Sequence, residues 1–267
     1  MRAIDVVIPV PNKNDETTKK CLQHLEHTQK YPFRPILIED STPSFSFGKS
    51  MNRGISEAES DIVIGMDYDS FPYVNAFKDL IDFTTKYPDV GYFGVKIRQK
   101  CKIGAADILG WIYGNFSPTF FKMCILNISP FLFLRKITQA IDQRPFIVGV
   151  NKFVPGMIGQ ATSLFAIRKE CWEDIGRFDE QFRTSFSDVD ICFRIILSDK
   201  WKITTCPFVK TYHIGHFNKR KEVMKDFDDV GDKKKYDKKW PHEKVLEVVE
   251  ASKKGKFVIP NQSAING

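Results

Sequence analysis

The sequence lacks paired cysteine motifs and an export signal. Its six cysteines are scattered along 267 residues, and no two of them form a C-x-x-C pair. This spacing argues against a disulfide framework and favours reduced thiols. The opening residues Met1-Arg2-Ala3-Ile4-Asp5 enter an apolar strand without the charged and apolar regions of a signal peptide. We therefore expect a cytoplasmic protein.

Long apolar runs are also missing. No uninterrupted stretch reaches the ~18 residues that a membrane-spanning helix needs. The aromatic-rich segment 100–155 is broken by Pro118, Lys122 and Pro130. This insertion is predicted to pack as helices on the core, and a lid, an acceptor-binding surface or a peripheral membrane contact are the alternatives.

Acidic residues are in the minority. The 40 Lys and Arg residues exceed the 33 Asp and Glu residues, which gives a net charge of +7 and a pI near 9.0. This balance favours anionic partners such as nucleotides or a membrane surface. Much of the excess lies in residues 219–239, which lack evenly spaced aromatics for stacking on bases. We expect no nucleic acid partner and interpret this stretch as a solvated surface.

The apolar residues that are present alternate between strand and helix periodicities. The predicted strands span residues 4–10, 36–38, 62–66 and 90–97, and the predicted helices span residues 15–31, 48–59 and 75–87. Asn14 or Asp15 can cap the first helix. This order predicts an α/β fold with a mainly parallel central sheet flanked by helices.

Three D-x-D pairs occur in the chain, and only one of them follows a predicted strand. Asp67 and Asp69 come directly after the apolar run at 62–66, unlike the pairs at 188–190 and 226–228. Side chains just past such a strand point into the crevice at the carboxyl edge of an open sheet. Carboxylates suit a hard divalent cation, and a diphosphate supplies further oxygen ligands. The first pair therefore predicts a ligand site.

A second informative region ends at Arg194. After Ser187, apolar residues recur with the spacing of an amphipathic helix, which places Asp188 at the helix start. Asp188 is then either an N-cap, with Asp190 and Arg194 as an ordinary ion pair, or a crevice carboxylate that takes a proton from an acceptor hydroxyl. The local sequence leaves both interpretations open.

Four segments, in this order, resemble the family 2 glycosyltransferases, which are inverting enzymes of the GT-A fold. They are VVIPVPN (6–12), ILIEDS (36–41), GKSMNRGISEAESDIVIGMDYDS (48–70) and the pieces GRFDEQF and SDVDICFR within 176–194. The resemblance implies a nucleotide-sugar-binding half at 1–99, the insertion at 100–155, a catalytic half at 156–217 and a basic C-terminal extension at 218–267. Residues 100–155 and the tail past 245 have no counterpart that we can place.

The resemblance also implies roles for single residues. Donor binding would fall on Pro9, Asp40, Lys49, Asn52, Asp67 and Tyr68, the metal on Asp67, Asp69 and His213, and the catalytic base on Asp188. His216 is the alternative to His213. Two positions depart from the family pattern, since Ser187 stands where Glu is usual and Pro11 replaces a common aromatic.

The reaction implied is transfer of a sugar from a nucleoside diphosphate sugar, most commonly a uridine diphosphate sugar, to a carbohydrate or glycoconjugate acceptor with inversion. Mn²⁺ is the expected ion, with Mg²⁺ as the alternative, because an imidazole ligand favours Mn²⁺. A nucleotidyltransferase, a phosphatase with an aspartyl nucleophile and a catalytically silent nucleotide-sugar-binding module are the rivals. The first two fit less well, because no Gly-rich loop or D-x-D follows the opening strand, which ends in Pro9-Val10-Pro11.

Overall fold

The computed structural model describes residues 3–40, 45–99, 147–148, 159–160, 162–214, 229–258 and 260. Its strands are β1 (Ile4–Val10), β2 (Phe33–Glu39), β3 (Ile62–Met66), β4 (Ser70–Pro72), β5 (Val90–Gln99), β6 (Ile147–Val148), β7 (Gly159–Gln160), β8 (Leu164–Arg168), β9 (Lys202–His213) and β10 (Phe257–Val258). Its helices are α1 (Glu16–Thr28), α2 (Phe47–Glu57), α3 (Ala76–Thr85), α4 (Lys169–Asp174), α5 (Ser187–Leu197), α6 (Asp229–Lys239) and α7 (His242–Ala251), and a π-helical turn (Ser252–Lys256) leads into β10. Of the insertion 100–155, only residues 147–148 are described, so the prediction that it packs as helices lies outside the described residues, as does the prediction for His216.

Eight of the described strands form one sheet, in the order β10-β9-β5-β8-β3-β1-β2, with β4 paired to β9. The pairs β1/β2, β1/β3, β5/β9 and β9/β10 are parallel, whereas β8 is antiparallel to both β3 and β5, and β4 is antiparallel to β9. The predicted α/β fold with a mainly parallel sheet is therefore confirmed. Two details go beyond the sequence prediction: Ser70–Pro72 forms a short strand, and β8 runs against the direction of its neighbours.

The strand directions bring several chain segments to one edge of the sheet. Because β8 is antiparallel to both neighbours, β3 and β5 point the same way, and β9 runs parallel to β5. The carboxyl ends of β1, β2, β3 and β9 therefore share one edge. This edge is where an open α/β sheet ordinarily binds its ligands.

The sheet has a hydrophobic core on each face. In β1, Val7 packs with α2 and α5 on one face, while Val6 and Ile8 pack with α1 and α3 on the other, as the two-residue period of a strand requires. Gly54 allows the close approach of α2, because a Cβ at this position would lie 2.3 Å from Val7 Cγ1. Among the described residues, no helix combines the length and hydrophobicity needed to cross a bilayer.

A buried carboxylate fixes the amino end of β1. Asp5 accepts hydrogen bonds from the backbone N–H groups of Glu59 (2.6 Å) and Ser60 (2.8 Å), from the Ser60 hydroxyl (2.9 Å) and from Arg34 Nε (2.6 Å). Desolvation alone would raise the pKa of Asp5, but the hydrogen bonds from Arg34, Ser60 and Glu59 outweigh it and lower the pKa to about 2. Asp5 therefore ties β1 to the segment that enters β3.

Candidate functional site

The acidic pair lies where β3 leaves the sheet. The backbone N–H of Ser70 donates to the Asp67 carbonyl (3.1 Å), which closes a tight turn and returns the chain into β4. The Asp67 N–H donates to the carbonyl of Ser163 (3.4 Å), just before β8. In this turn, Asp69 is buried and Asp67 is partly exposed.

His213 meets the two acids from the end of β9. The β4/β9 register places it opposite Ser70, and the Ile214 N–H donates to the Asp69 carbonyl (3.1 Å). His213 Nε2 lies 3.0 Å from Asp69 Oδ1 and 3.5 Å from Asp67 Oδ2. The structure thus brings His213 next to an acidic pair that lies more than 140 positions earlier in the sequence, with His213 and Asp69 separated by 144.

The three side chains fit a divalent cation. One ligand atom from each of Asp67, Asp69 and His213 lies within 4.8 Å of the other two. Adjacent ligands in an octahedral shell with bonds of ~2.1 Å are separated by about 3 Å, similar to the His213–Asp69 distance. The hydroxyl of Ser163 lies 3.3 Å from His213 Nδ1 and can orient the ring so that Nε2 faces the acids. Two carboxylates and one imidazole suit Mn²⁺ better than Mg²⁺.

Asp188 lies in the first turn of α5, but it is not the N-cap. The N-cap is Phe186, which has a left-handed backbone (φ 67°), and the helix begins at Ser187. The N-cap interpretation of Asp188 is therefore wrong. Instead, Asp188 Oδ1 accepts a hydrogen bond from the N–H of Val189 (2.9 Å). A left-handed conformation costs a bulky residue such as Phe186 on the order of 1–3 kcal/mol, so the surrounding contacts must hold it.

The environment of Asp188 makes it a stronger base than an ordinary carboxylate. Desolvation raises the pKa of Asp188 to about 6, backbone hydrogen bonds from Val189 and from its own N–H oppose the shift, and the charge of Asp67 adds to it. The influence of Asp67 places both carboxylates in one electrostatic environment. A carboxyl group with a pKa near 6 is mostly deprotonated at neutral pH and still accepts a proton well.

The predicted ion pair between Asp190 and Arg194 is confirmed, with Arg194 Nε 2.8 Å from Asp190 Oδ2. Asp190 is fully buried, and its other oxygen accepts hydrogen bonds from Trp240 Nε1 (2.9 Å) and Lys239 Nζ (2.6 Å). The sequence did not indicate the contacts with Lys239 and Trp240, because they join segments that are 50 residues apart.

The residues assigned to donor binding lie at or beside the same sheet edge. Pro9 is buried in β1, and Asp40 follows β2, where its N–H donates to the Val10 carbonyl (3.1 Å). Ser50 Oγ of α2 donates to Asp40 Oδ2 (3.4 Å). Tyr68 is partly buried between the two acids, and Lys49 is exposed in the first turn of α2. Each of these positions is compatible with the predicted donor contact.

Asn52 has a different environment from the other predicted donor ligands. Its Nδ2 donates to the Phe178 carbonyl and to Glu180 Oε1 (both 2.9 Å), and its Oδ1 accepts from Trp172 Nε1 (3.1 Å) and from the Phe178 N–H (2.9 Å). These four hydrogen bonds use the full capacity of the amide. Asn52 therefore joins α2 to the segment before α5 and can affect the site through that segment.

Two buried hydroxyl groups near Asp188 were not predicted as site residues. Among the described residues, neither Tyr92 OH nor Ser187 Oγ has a hydrogen-bond partner. Burial raises the pKa of Tyr92 well above its usual value, and charges that include Asp188 and Asp67 raise it further. Tyr92 lies in an otherwise apolar strand pattern, so the sequence gives no signal that its hydroxyl lies near the acids.

Residues 12–124 match the family described as Glycosyl transferase family 2. The match extends into the segment 100–155, for which we had found no counterpart, and does not include residues 176–194. No curated protein matches the chain in sequence.

Several solved structures share the fold. S. aureus TarS is 14% identical, with a TM-score of 0.50, over 84% of this chain and 38% of its own. A structure of S. aureus TarS 1-349 in complex with UDP gives 14% identity and a TM-score of 0.50, over 84% of this chain and 64% of its own. GalNAc-T7 with UDP, GalNAc and Mn²⁺ gives 13% identity and a TM-score of 0.51, over 79% of this chain and 44% of its own. This chain thus spans less than two thirds of each of these proteins, and at such identities the likeness shows the fold alone.

Proposed function

Because residues 12–124 match the family described as Glycosyl transferase family 2, we propose that the chain is a glycosyltransferase of this family, and that it transfers a sugar from a nucleoside diphosphate sugar to an acceptor hydroxyl and inverts the anomeric carbon. A uridine diphosphate sugar is the donor we favour, since two of the similar structures contain UDP. The acceptor is a carbohydrate or glycoconjugate.

One observation carries this proposal. Asp67, Asp69 and His213 converge at the carboxyl edge of the sheet, and the charge of Asp67 reaches Asp188, whose pKa is raised to about 6. A cation site beside a proton acceptor is what glycosyl transfer from a diphosphate requires. A binding module without catalysis would have no need to keep a desolvated carboxylate beside the metal ligands.

On the donor side, Asp67, Asp69 and His213 would hold the divalent cation, and Pro9, Asp40, Lys49 and Tyr68 would contact the nucleotide. The bound cation would neutralise the charge of the leaving diphosphate. Ser163 keeps the imidazole of His213 directed toward the acids. The protein thus supplies the two carboxylates and the oriented ring that this cation needs.

On the acceptor side, Asp188 takes the proton of the attacking hydroxyl. Attack from the face opposite the leaving diphosphate inverts the anomeric configuration. General-base help of this kind contributes about 10² to 10⁴ in rate, or roughly 3 to 5 kcal/mol. The backbone N–H of Val189 holds the carboxylate in place at the start of α5.

The test compares Asp188→Asn with the wild-type protein. A thermal-shift screen of nucleoside diphosphate sugars with and without Mn²⁺ identifies the donor, because ligands that bind the native state raise its melting temperature. We expect Asp188→Asn to show the same donor-dependent shift as the wild type and to lose sugar transfer by about 10² to 10⁴-fold. Asp199→Asn, at an exposed position outside the site, is the matched control and should transfer normally.

Four outcomes contradict the proposal. Wild-type turnover in Asp188→Asn rejects the base, and transfer that proceeds at full rate in excess EDTA rejects the cation. Binding of the donor without release of nucleoside diphosphate, with or without acceptors, points to a silent module. Release of pyrophosphate from a nucleoside triphosphate instead identifies a nucleotidyltransferase.

A further inference from the structure

Helix α6 packs against the segment that delivers Asp188. Asp232, Tyr236, Lys239 and Trp240 are spaced i, i+4, i+7 and i+8, so they form one face of α6 and its end. This face meets residues 183–186, which we call the base loop, and the first turns of α5. The opposite side of the helix carries the exposed residues Lys233, Asp237 and Lys238.

Asp232 is the centre of this contact. Its side chain is fully buried, and its two oxygens accept hydrogen bonds from three successive backbone N–H groups, those of Arg183 (3.0 and 3.1 Å), Thr184 (2.9 Å) and Ser185 (3.1 Å). Lys235 Nζ lies 3.3 Å from one of these oxygens. Hydrogen bonds to an ionised acceptor are stronger than neutral ones, and successive N–H groups form a concave site for an anion. Asp232 therefore holds the backbone of the base loop, and this contact does not depend on which side chains the loop carries.

Tyr236 holds the last residue of the base loop. Its ring stacks on Phe186, with ring centroids 4.6 Å apart and an interplanar angle of 21°. Phe186 is the residue with the left-handed backbone immediately before Ser187 and Asp188. The stacking therefore supports a conformation that sets the direction in which α5 begins.

The end of α6 also contacts α5 and Asp179, which precedes the base loop. Lys239 bridges Asp190 and Asp179, with its Nζ 2.6 Å from each carboxylate. Trp240 Nε1 donates to Asp190, and its ring packs edge-on against Phe193. The position of α6 relative to α5 is thus fixed at several points along the helix.

We propose that Asp232 is a positioning residue for transfer: by holding the N–H groups of Arg183, Thr184 and Ser185, it sets the orientation in which Asp188 meets the acceptor hydroxyl. This inference rests on the proposed role of Asp188 as base. It assigns a function to the C-terminal basic extension, whose lysines alone had suggested only a solvated surface. Because Asp232 is buried and its carboxylate accepts hydrogen bonds from the base loop, it acts through that loop.

The first arm of the test does not depend on activity. Hydrogen–deuterium exchange is measured for the wild type, for Asp232→Asn and for the control Asp237→Asn, which removes an exposed carboxylate from the other side of the same helix. Asparagine keeps one acceptor and loses the charge, so we expect the amides of residues 183–185 to exchange at least tenfold faster in Asp232→Asn only. Equal exchange in the two variants overturns the proposal, whether or not transfer is detected.

The second arm is a double-mutant cycle on transfer. Misplacement of a catalytic group by about 1 Å can cost 10²-fold, so we expect Asp232→Asn to lower kcat by about 10 to 100-fold while the KM for the donor changes less than twofold. In an Asp188→Asn background, the same substitution should change the residual rate less than twofold, because the base is already absent. A similar loss in both backgrounds would indicate a general structural role and overturn the proposal. Wild-type activity in Asp188→Asn would overturn the proposed base instead, so the two failures are distinguishable.

Discussion

Asp188 is partly buried and has a raised pKa, and both properties suit a residue that accepts a proton during the reaction. At the start of α5, desolvation and the charge of Asp67 both disfavour the ionised form of this carboxylate. Its conjugate acid therefore loses its proton near pH 6 instead of near 4. The rate of a reaction that needs the ionised base must follow this titration.

The pH dependence of transfer follows from this pKa. At saturating donor and Mn²⁺, kcat should be level above pH 7, half-maximal near pH 6 and about tenfold lower for each further unit of acidification, because the protonated carboxyl cannot accept a proton. Initial-rate measurements from pH 4.5 to 8.5 test this pH dependence of kcat. An acid limb centred near pH 4 would mean that the group in control is an ordinary exposed carboxylate.

The elements of the fold were predictable to different degrees. Apolar runs of five to seven residues identified β1 and β3, and Asp15 caps α1 as one of the two predicted residues, with hydrogen bonds from the N–H groups of Thr17 and Thr18. The reversed direction of β8 was not predictable, since local sequence carries no information on which neighbour a strand pairs with. The acidic pair was predicted from its position directly after the apolar run of β3, whereas His213 was predicted only from the resemblance to a family.

The least predictable element was α6. Its many lysines indicated a solvated surface, and Lys233, Lys234 and Lys238 are indeed exposed. The same lysines obscured the buried face that Asp232 and Tyr236 present to the base loop. The partners of these two residues lie about 50 positions earlier, so only the tertiary structure relates them to the site.

The hydrogen bonds that Asp5 makes between β1 and the segment before β3 predict how the stability of the fold depends on pH. The folded-state pKa of Asp5 is lowered to about 2, so its ionised form stabilises the fold above pH 4 and this contribution is lost as the pH falls through 2. We expect Asp5→Asn to lower the free energy of unfolding by about 2 kcal/mol at pH 7 and by roughly half as much at pH 3. Urea denaturation at both pH values measures the difference.

The control for Asp5 is a surface ion pair. Asp82→Asn removes an exposed partner of Lys78 on α3, and such pairs contribute roughly 0 to 1 kcal/mol. The account is wrong if Asp5→Asn lowers the free energy of unfolding no more than Asp82→Asn does, or if the loss does not depend on pH. Either result would show that the buried carboxylate does not attach β1 to the segment that enters β3.

The candidate site lies at the edge of the sheet where several strands end. The carboxyl ends of β1, β2, β3 and β9 share one edge of the sheet, which gathers Pro9, Asp40, the acidic pair and His213 from four separate parts of the sequence. On the neighbouring side, α5 contributes Asp188, and α6 holds the loop that leads to it. The site is therefore a property of the topology, and the D-x-D pair alone would not define it.

A crystal of the protein soaked with Mn²⁺ and UDP, measured at the manganese absorption edge, tests the account most directly. We expect one anomalous peak about 2.1–2.3 Å from a carboxylate oxygen of Asp69 and from His213 Nε2, with the diphosphate bound on its open side. Asp69→Asn should abolish the peak, and Asp61→Asn, at the opposite end of β3, should leave it unchanged. A peak elsewhere, or UDP bound away from Asp67, Asp69 and His213, would contradict the account.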